Sequence, residues 1–148
     1  MSDESSGPAS IEDRLRRAED LLEIQQLFIQ YGRYLDAGDF AAYASLFAED
    51  GEILLGPVGR AKGPTEIEAL MSKTGGAGNS YHLITGPVVQ LDGDRAESEV
   101  MWTVLTRDPD GRPHVSMTGR HRDELVRENG RWKFRRRRGY VDIPSKMP

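Results

Sequence analysis

IQQLFIQYGRYLDAGDFAAYASLFAEDGEILL, residues 24–55, decides the fold. Its apolar residues Leu27, Phe28, Tyr31 and Leu35 recur at helical spacing, which reaches back through Leu22, Ala18 and Leu15 to Ile11. This predicts one long amphipathic helix with a single buried stripe. Ser10 offers an N-cap with Asp13 three residues on, and Gly38 suits the helix C-terminus. Asp39 then suits the N-cap of a second helix through Tyr43 and Phe47, and Glu52 to Leu55 reads as a short strand. Pro64 starts a third helix carrying Ile67, Leu70 and Met71. That helix runs into Gly75, Gly76, Ala77 and Gly78, read as a flexible pocket-rim loop.

The second half changes period. Tyr81 to Leu91 is strand-like and closes on the hairpin signal Asp92-Gly93. Arg95 to Thr106, Pro113 to Val126 and Arg131 to Ile143 follow as strands, separated by Asp108-Pro109-Asp110-Gly111 and Glu128-Asn129-Gly130. Helices followed by a strand meander define an α+β domain with helices on one face of a mainly antiparallel sheet. Residues 1–9 read as a disordered polar tail and 10–148 as a single domain.

Composition narrows the function. A net charge of -4 argues against non-specific nucleic-acid binding, which needs an excess of Lys and Arg. The absence of cysteine excludes disulfides, a thiol nucleophile and Cys-ligated metals, and the three histidines are not spaced as a zinc site. No metal or cofactor is expected. No apolar run approaches a membrane span, and MSDESSGPAS lacks a signal-peptide layout, so a cytoplasmic protein is expected. The segment Ser72 to Gly78 lacks the Gly-Lys-Ser/Thr ending of a phosphate loop and follows a helix instead of a strand.

A tyrosine, a carboxylate and an imidazole stand out on apolar elements. Tyr31 lies on the helical stripe, and Asp36 sits in the last helical turn, where it could serve a base or cap the turn Asp36-Ala37-Gly38-Asp39. Strand alternation groups His82 with Ile84, Gly86 and Val88 on the inner face, as a core histidine or as a base strengthened by a carboxylate. His121 alternates with Asp123 and Leu125, whereas His114 follows a turn and should be exposed. In Arg135-Arg136-Arg137-Arg138, parity with Trp132 and Phe134 turns Arg138 toward a cavity mouth, and Arg135 and Arg137 toward solvent or a subunit partner. A solvated or ion-paired strand is the simpler reading, and a bulge would reverse the parity.

The stretch at residues 24–55, the Gly63-Pro64 helix start, Tyr81-His82 and GRHRDELVRENGRWKFRRR together resemble the SnoaL-like group of the nuclear-transport-factor-like superfamily. The resemblance spans Ile11 to Ile143 and implies a cone-shaped barrel: a curved, mixed, mainly antiparallel sheet wrapped around N-terminal helices, with a deep apolar pocket. It is nearest to the branch of scytalone dehydratase, bile-acid dehydratase and hexachlorocyclohexane dehydrochlorinase. That branch pairs an Asp at the end of the first helix with a His on the following long strand. Asp36 and His82 fall at those positions, and Tyr31 matches a pocket tyrosine. The implied pocket would be lined by Tyr34, Phe47, Trp102, His121 and Arg138. One departure concerns the second long strand, which offers Trp102, Thr103 and Leu105 where the dehydratases carry a further His or Asp.

The expectation is a cofactor-independent acid/base lyase acting on a small apolar cyclic molecule through an Asp-His pair. The alternatives are an isomerase or polyketide-cyclase-like enzyme with the same base, a non-catalytic small-molecule-binding protein, or an assembly module pairing through Met101, Thr103 and Leu105. A homodimer or homotrimer is expected.

Overall fold

The computed structural model describes residues 7–74, 78 and 80–144. The tail reading over residues 1–6 and the loop reading over Gly75, Gly76 and Ala77 lie outside the described residues. Helix α1 spans Ile11–Ala37, capped at its start by Ser10 Oγ accepting from the Asp13 amide and closed by Gly38 in the left-handed conformation. Asp39 caps α2, Phe40–Ala44, through the Ala42 amide. This helix is shorter than expected, and Phe47 opens strand β1, Phe47–Leu54. A 3-10 turn, Gly56–Val58, leads to the short strand β2, Arg60–Lys62, and Pro64 starts α3, Pro64–Met71.

Four long strands complete the chain: β3 Ser80–Asp92, β4 Arg95–Arg107, β5 Pro113–Glu128 and β6 Arg131–Ile143. They form one sheet in the order β2-β1-β6-β5-β4-β3, with β1 and β6 parallel and the other pairs antiparallel. The sheet is open, with β2 and β3 as its edges. Asn129 and Gly130 both take positive φ, which matches the two-residue turn favoured by strand twist.

Helix α1 lies on the inner face and buries Ile24, Leu27, Phe28 and Tyr31 against Phe47, Val100, Leu125 and Phe134. Phe134 is fully buried between Phe28, Tyr31 and Phe47, with ring centroids 5.3–6.2 Å away. Burial of a side chain that size contributes about 1.5–3 kcal/mol. The expected single stripe on α1 is corrected here. Ile11, Leu15 and Leu22 are 79%, 58% and 63% exposed, and the buried face begins only at Asp20 and Ile24.

Two of the sheet's register shifts overturn the expected facing of particular residues. In β3 the register shifts between Thr85 and Val88, so Val88 points outward, contrary to the alternation reading. In β6 the pairing with β5 shifts between Leu125↔Phe134 and Glu124↔Arg136. Trp132 and Phe134 therefore share the inner face with Arg137, Gly139 and Val141, while Arg138 turns outward. Among the described residues, no helix is long and apolar enough to cross a membrane.

Candidate active site

Asp36 and His82 meet where β3 crosses the last turns of α1. The approach is close because Gly32 carries no side chain: a Cβ there would already touch Ile84 Cγ1 at 3.4 Å and His82 Cβ at 3.5 Å. One turn further along α1, the Asp36 carboxylate accepts twice from His82, at 2.9 Å from its backbone amide and at 2.5 Å from ring Nδ1. The helix-to-helix turn uses other groups: Asp39 caps α2, and the Gly38 and Asp39 amides bond to the carbonyls of Leu35 and Tyr34. Asp36 is thus engaged with β3 instead of capping that turn. With Nδ1–H donated to the carboxylate, the imidazole lone pair resides on Nε2. The two side chains remain 16–17% exposed, enough for a ligand to reach the ring.

His82 opens onto a cavity of about 370 Å³, a size suited to a small molecule. Its wall is mostly apolar, with Leu35, Phe40, Leu55, Met71, Val104, Met117 and Val141, and its polar members include Tyr31, His82, Trp102 and His121. A hollow of about 440 Å³ on the outer sheet face is bounded by Glu97, Glu99, Arg122, Arg136 and Arg138, away from the Asp36–His82 pair.

Burial tunes the deeper groups. His121 is 5% exposed, edge-on to Tyr31 at 5.2 Å and 5.9 Å from the Trp102 ring. Burial, then the Arg137 and His82 charges, hold this imidazole well below its ordinary value, so it is neutral at physiological pH. Burial raises the phenols of Tyr31 and Tyr43, so both stay protonated. Among the described residues, His121 Nδ1, Trp102 Nε1 and Tyr43 Oη lack hydrogen-bond partners. The Trp102 indole approaches β5 closely because residue 119 is glycine. A Cβ there would stand 2.6 Å from the indole Cζ2 and 1.8 Å from the Tyr140 carbonyl oxygen.

Arg137 forms the layer beneath. It is fully buried, donates to Asp123 from Nε at 2.9 Å and Nη2 at 3.3 Å, and lies 4.2 Å over the Tyr31 ring. Asp123 also accepts from Ser98 at 3.0 Å, and burial is the main influence raising its carboxyl pKa. Alternation reasoning sent Arg137 to solvent because it carried strand parity through the bulge. A usable signal lay beyond the arginine run: Gly139 and Val141, small and apolar, share parity with Arg137 and line the cavity.

The structure thus gathers Asp36, His82, Tyr31, His121 and Trp102 at one cavity, and separates three other candidates from it. Arg138 is exposed on the outer face near Tyr140, a consequence of the β6 bulge. Phe47 is 1% exposed in the core between Tyr43 and Phe134, because it begins β1 instead of ending α2. Tyr34 packs beside the core, half-buried and outside the cavity wall. His114 is exposed. Among the described residues, no group of three His, Asp or Glu side chains could hold a metal ion.

An open curved sheet over a long helix, with an apolar cavity between them, is the architecture of NTF2-like proteins. An NTF2-like protein with a cystatin-like fold from Novosphingobium aromaticivorans superposes with a TM-score of 0.83 at 27% identity, covering 95% of each chain. ActVI-ORFA from Streptomyces coelicolor gives 0.73 at 25% identity, covering 82% of this chain and 96% of its own. A candidate scytalone dehydratase from N. aromaticivorans shares the fold, with a TM-score of 0.74 at 20% identity over 88% and 89% of the two chains. Residues 16–138 match the SnoaL-like domain, and the chain belongs to that family. Comparison with curated proteins finds no match.

Proposed function

We propose that this protein is a cofactor-independent acid/base lyase of the dehydratase or dehydrohalogenase kind, acting on a small apolar cyclic substrate. The observation that carries this reading is the 2.5 Å contact between Asp36 and His82 Nδ1 at the edge of an apolar cavity. His82 Nε2 takes a proton from a substrate carbon, and the Asp36 carboxylate stabilises the imidazolium that forms. Electrons from the broken C–H bond form the new double bond as the leaving group departs from the neighbouring carbon. Tyr31 and Trp102 offer neutral N–H and O–H donors for substrate oxygen. Positioned acid–base catalysis of this kind contributes roughly 10²–10⁴-fold.

A second reading, an isomerase or cyclase using the same base, draws support from the low proton affinity of His121. A neutral imidazole and the protonated Tyr31 phenol steady an enolate oxygen well, but neither is a strong acid for expelling hydroxide. The test is turnover of a panel of cyclic ketones with and without a β leaving group, in deuterated water, by wild type and His82→Ala. Loss of the leaving group, abolished in the variant while binding is retained, supports the lyase. Deuterium wash-in without loss of a group supports the isomerase. Binding that ignores His82, with no turnover, overturns both in favour of a carrier.

A further inference from the structure

His121 and Gly139 stand directly opposite each other on β5 and β6, and both line the cavity. Gly139 is not among the glycines with positive φ, so its backbone does not call for glycine. The space beside it does. A Cβ there would stand 3.1 Å from Leu55 Cδ2, and 3.5 and 3.6 Å from His121 Cδ2 and Nε2. The missing side chain therefore leaves a slot between Leu55 and the Cδ2–Nε2 edge of the imidazole. The Tyr31 and Trp102 rings flank that imidazole, with centroids at 5.2 and 5.9 Å.

The other ring nitrogen decides what the edge offers. His121 Nδ1 is buried and, among the described residues, has no hydrogen-bond partner. A buried N–H without an acceptor is rarer in folded proteins than an unpaired acceptor, so the single proton of the neutral ring belongs on Nε2. Nε2 then presents an N–H donor to the slot. Burial keeps the ring neutral, and among the described residues lining the cavity none is lysine or arginine. An ionised carboxylate would enter this wall with no such cation to pair it, whereas a carbonyl oxygen needs only a neutral donor.

We propose that Gly139 is a specificity-determining position: through the slot beside it, the cavity selects an uncharged ring ketone whose carbonyl oxygen accepts from His121 Nε2. This deepens the proposed function and rests on its placing of the substrate in this cavity. The ligand is then held at two points, its oxygen at His121 and its acidic carbon beside His82. When His82 Nε2 takes the proton next to the carbonyl, the C–H pair becomes a C=C bond. The carbonyl π pair moves onto oxygen, where the His121 N–H meets it.

Binding alone tests the proposal, by calorimetry on the full chain with α-tetralone, tetralin and α-naphthoate as ketone, hydrocarbon and carboxylate probes. Wild type is expected to bind the ketone roughly three- to ten-fold tighter than the hydrocarbon, and the carboxylate most weakly. Gly139→Ala and His121→Phe should each erase the ketone preference and still bind tetralin, which doubles as the check that each variant is folded. Adding Leu55→Ala to Gly139→Ala separates covering from crowding. It removes the 3.1 Å contact but leaves the Cβ beside the imidazole, so the preference should stay lost. In ring-nitrogen NMR spectra, the His121 Nε2 signal should move with α-tetralone and not with tetralin. His82→Ala should lose turnover and keep the ketone preference, so the base and the selectivity fail separately. Equal affinity for ketone and hydrocarbon, tighter binding of naphthoate, no binding of any probe, or a preference that survives Gly139→Ala or returns with Leu55→Ala would each overturn the proposal.

Discussion

Each end of the helix–sheet layer holds a tryptophan and an arginine, and the two ends treat them differently. Near the start of the buried α1 face, Arg127 grips Asp20 with two bonds of 2.8 and 2.9 Å and Asp94 with a third of 2.8 Å. Trp132 donates its indole N–H to Asp20 at 3.0 Å and its backbone N–H to Glu23 at 2.9 Å, under the Arg127 guanidinium. At the cavity end, Trp102 Nε1, His121 Nδ1 and Arg137 Nη1 find no partner among the described residues. A buried polar group left unpaired costs about 1–3 kcal/mol. One end therefore closes its polar groups on one another, while the other leaves three buried polar atoms unpaired, at a cost in stability.

The largest expected departure between the ends is in activity. His82→Ala should lower kcat/KM by roughly 10²–10⁴-fold while the melting temperature hardly moves. A variant that kept its activity would remove the cavity end from the chemistry. Next comes Asp123→Ala, which strands the buried Arg137 guanidinium and should cost about 3–5 kcal/mol in urea denaturation. Joining Arg137→Met to Asp123→Leu should recover much of that loss, because the uncompensated charge goes with it. If the single and double variants were equally unstable, the layer beneath Tyr31 would be packing and not electrostatics.

At the closed end the effect is smaller and depends on acid. The bonds from Arg127 hold the Asp20 carboxyl below its ordinary value of 3.8. A carboxyl with a depressed folded-state pKa contributes stability at pH above its unfolded value, and that contribution fades as pH falls through the folded one. Asp20→Asn should therefore cost about 1–3 kcal/mol at neutral pH and converge with wild type in strong acid. A constant gap across pH would show that shape, and not charge, closes this end.

The smallest effect concerns His121. Its folded form refuses the proton that the unfolded chain accepts near pH 6.5. Wild type should then lose stability relative to His121→Phe as pH falls below about 6.5, and thermal melts from pH 8 to 5 read that gap. Parallel curves would mean that the folded protein admits the proton.

Much of this was legible beforehand. Ser10, Gly38, Asp39, Pro64 and the Asn129-Gly130 turn mark their elements in the structure, because caps and turns answer to neighbouring residues. The resemblance implied a pairing of Asp36 with His82 that spacing could not show, and the alternation of His121 with Asp123 and Leu125 held through a regular stretch of β5. The failures share a cause. Arg137 and Arg138 exchanged faces, and Val88 turned outward, because a bulge shifts parity by one residue and leaves little trace in hydropathy. The α1 stripe split into two because helical spacing gives an apolar face but not which neighbour covers it.

Period, caps and turn residues, all local interactions, determined from sequence alone that helices come first and a strand meander follows. They also placed an acid at a helix end and a histidine at the start of a strand. Only the tertiary structure decided that Asp36 reaches His82 across 46 residues of chain, that the fully buried Arg137 underlies Tyr31, and that α1 keeps an uncovered face. Those outcomes depend on strand register, bulge position and the close approach at Gly32, where distant segments compete for the same space.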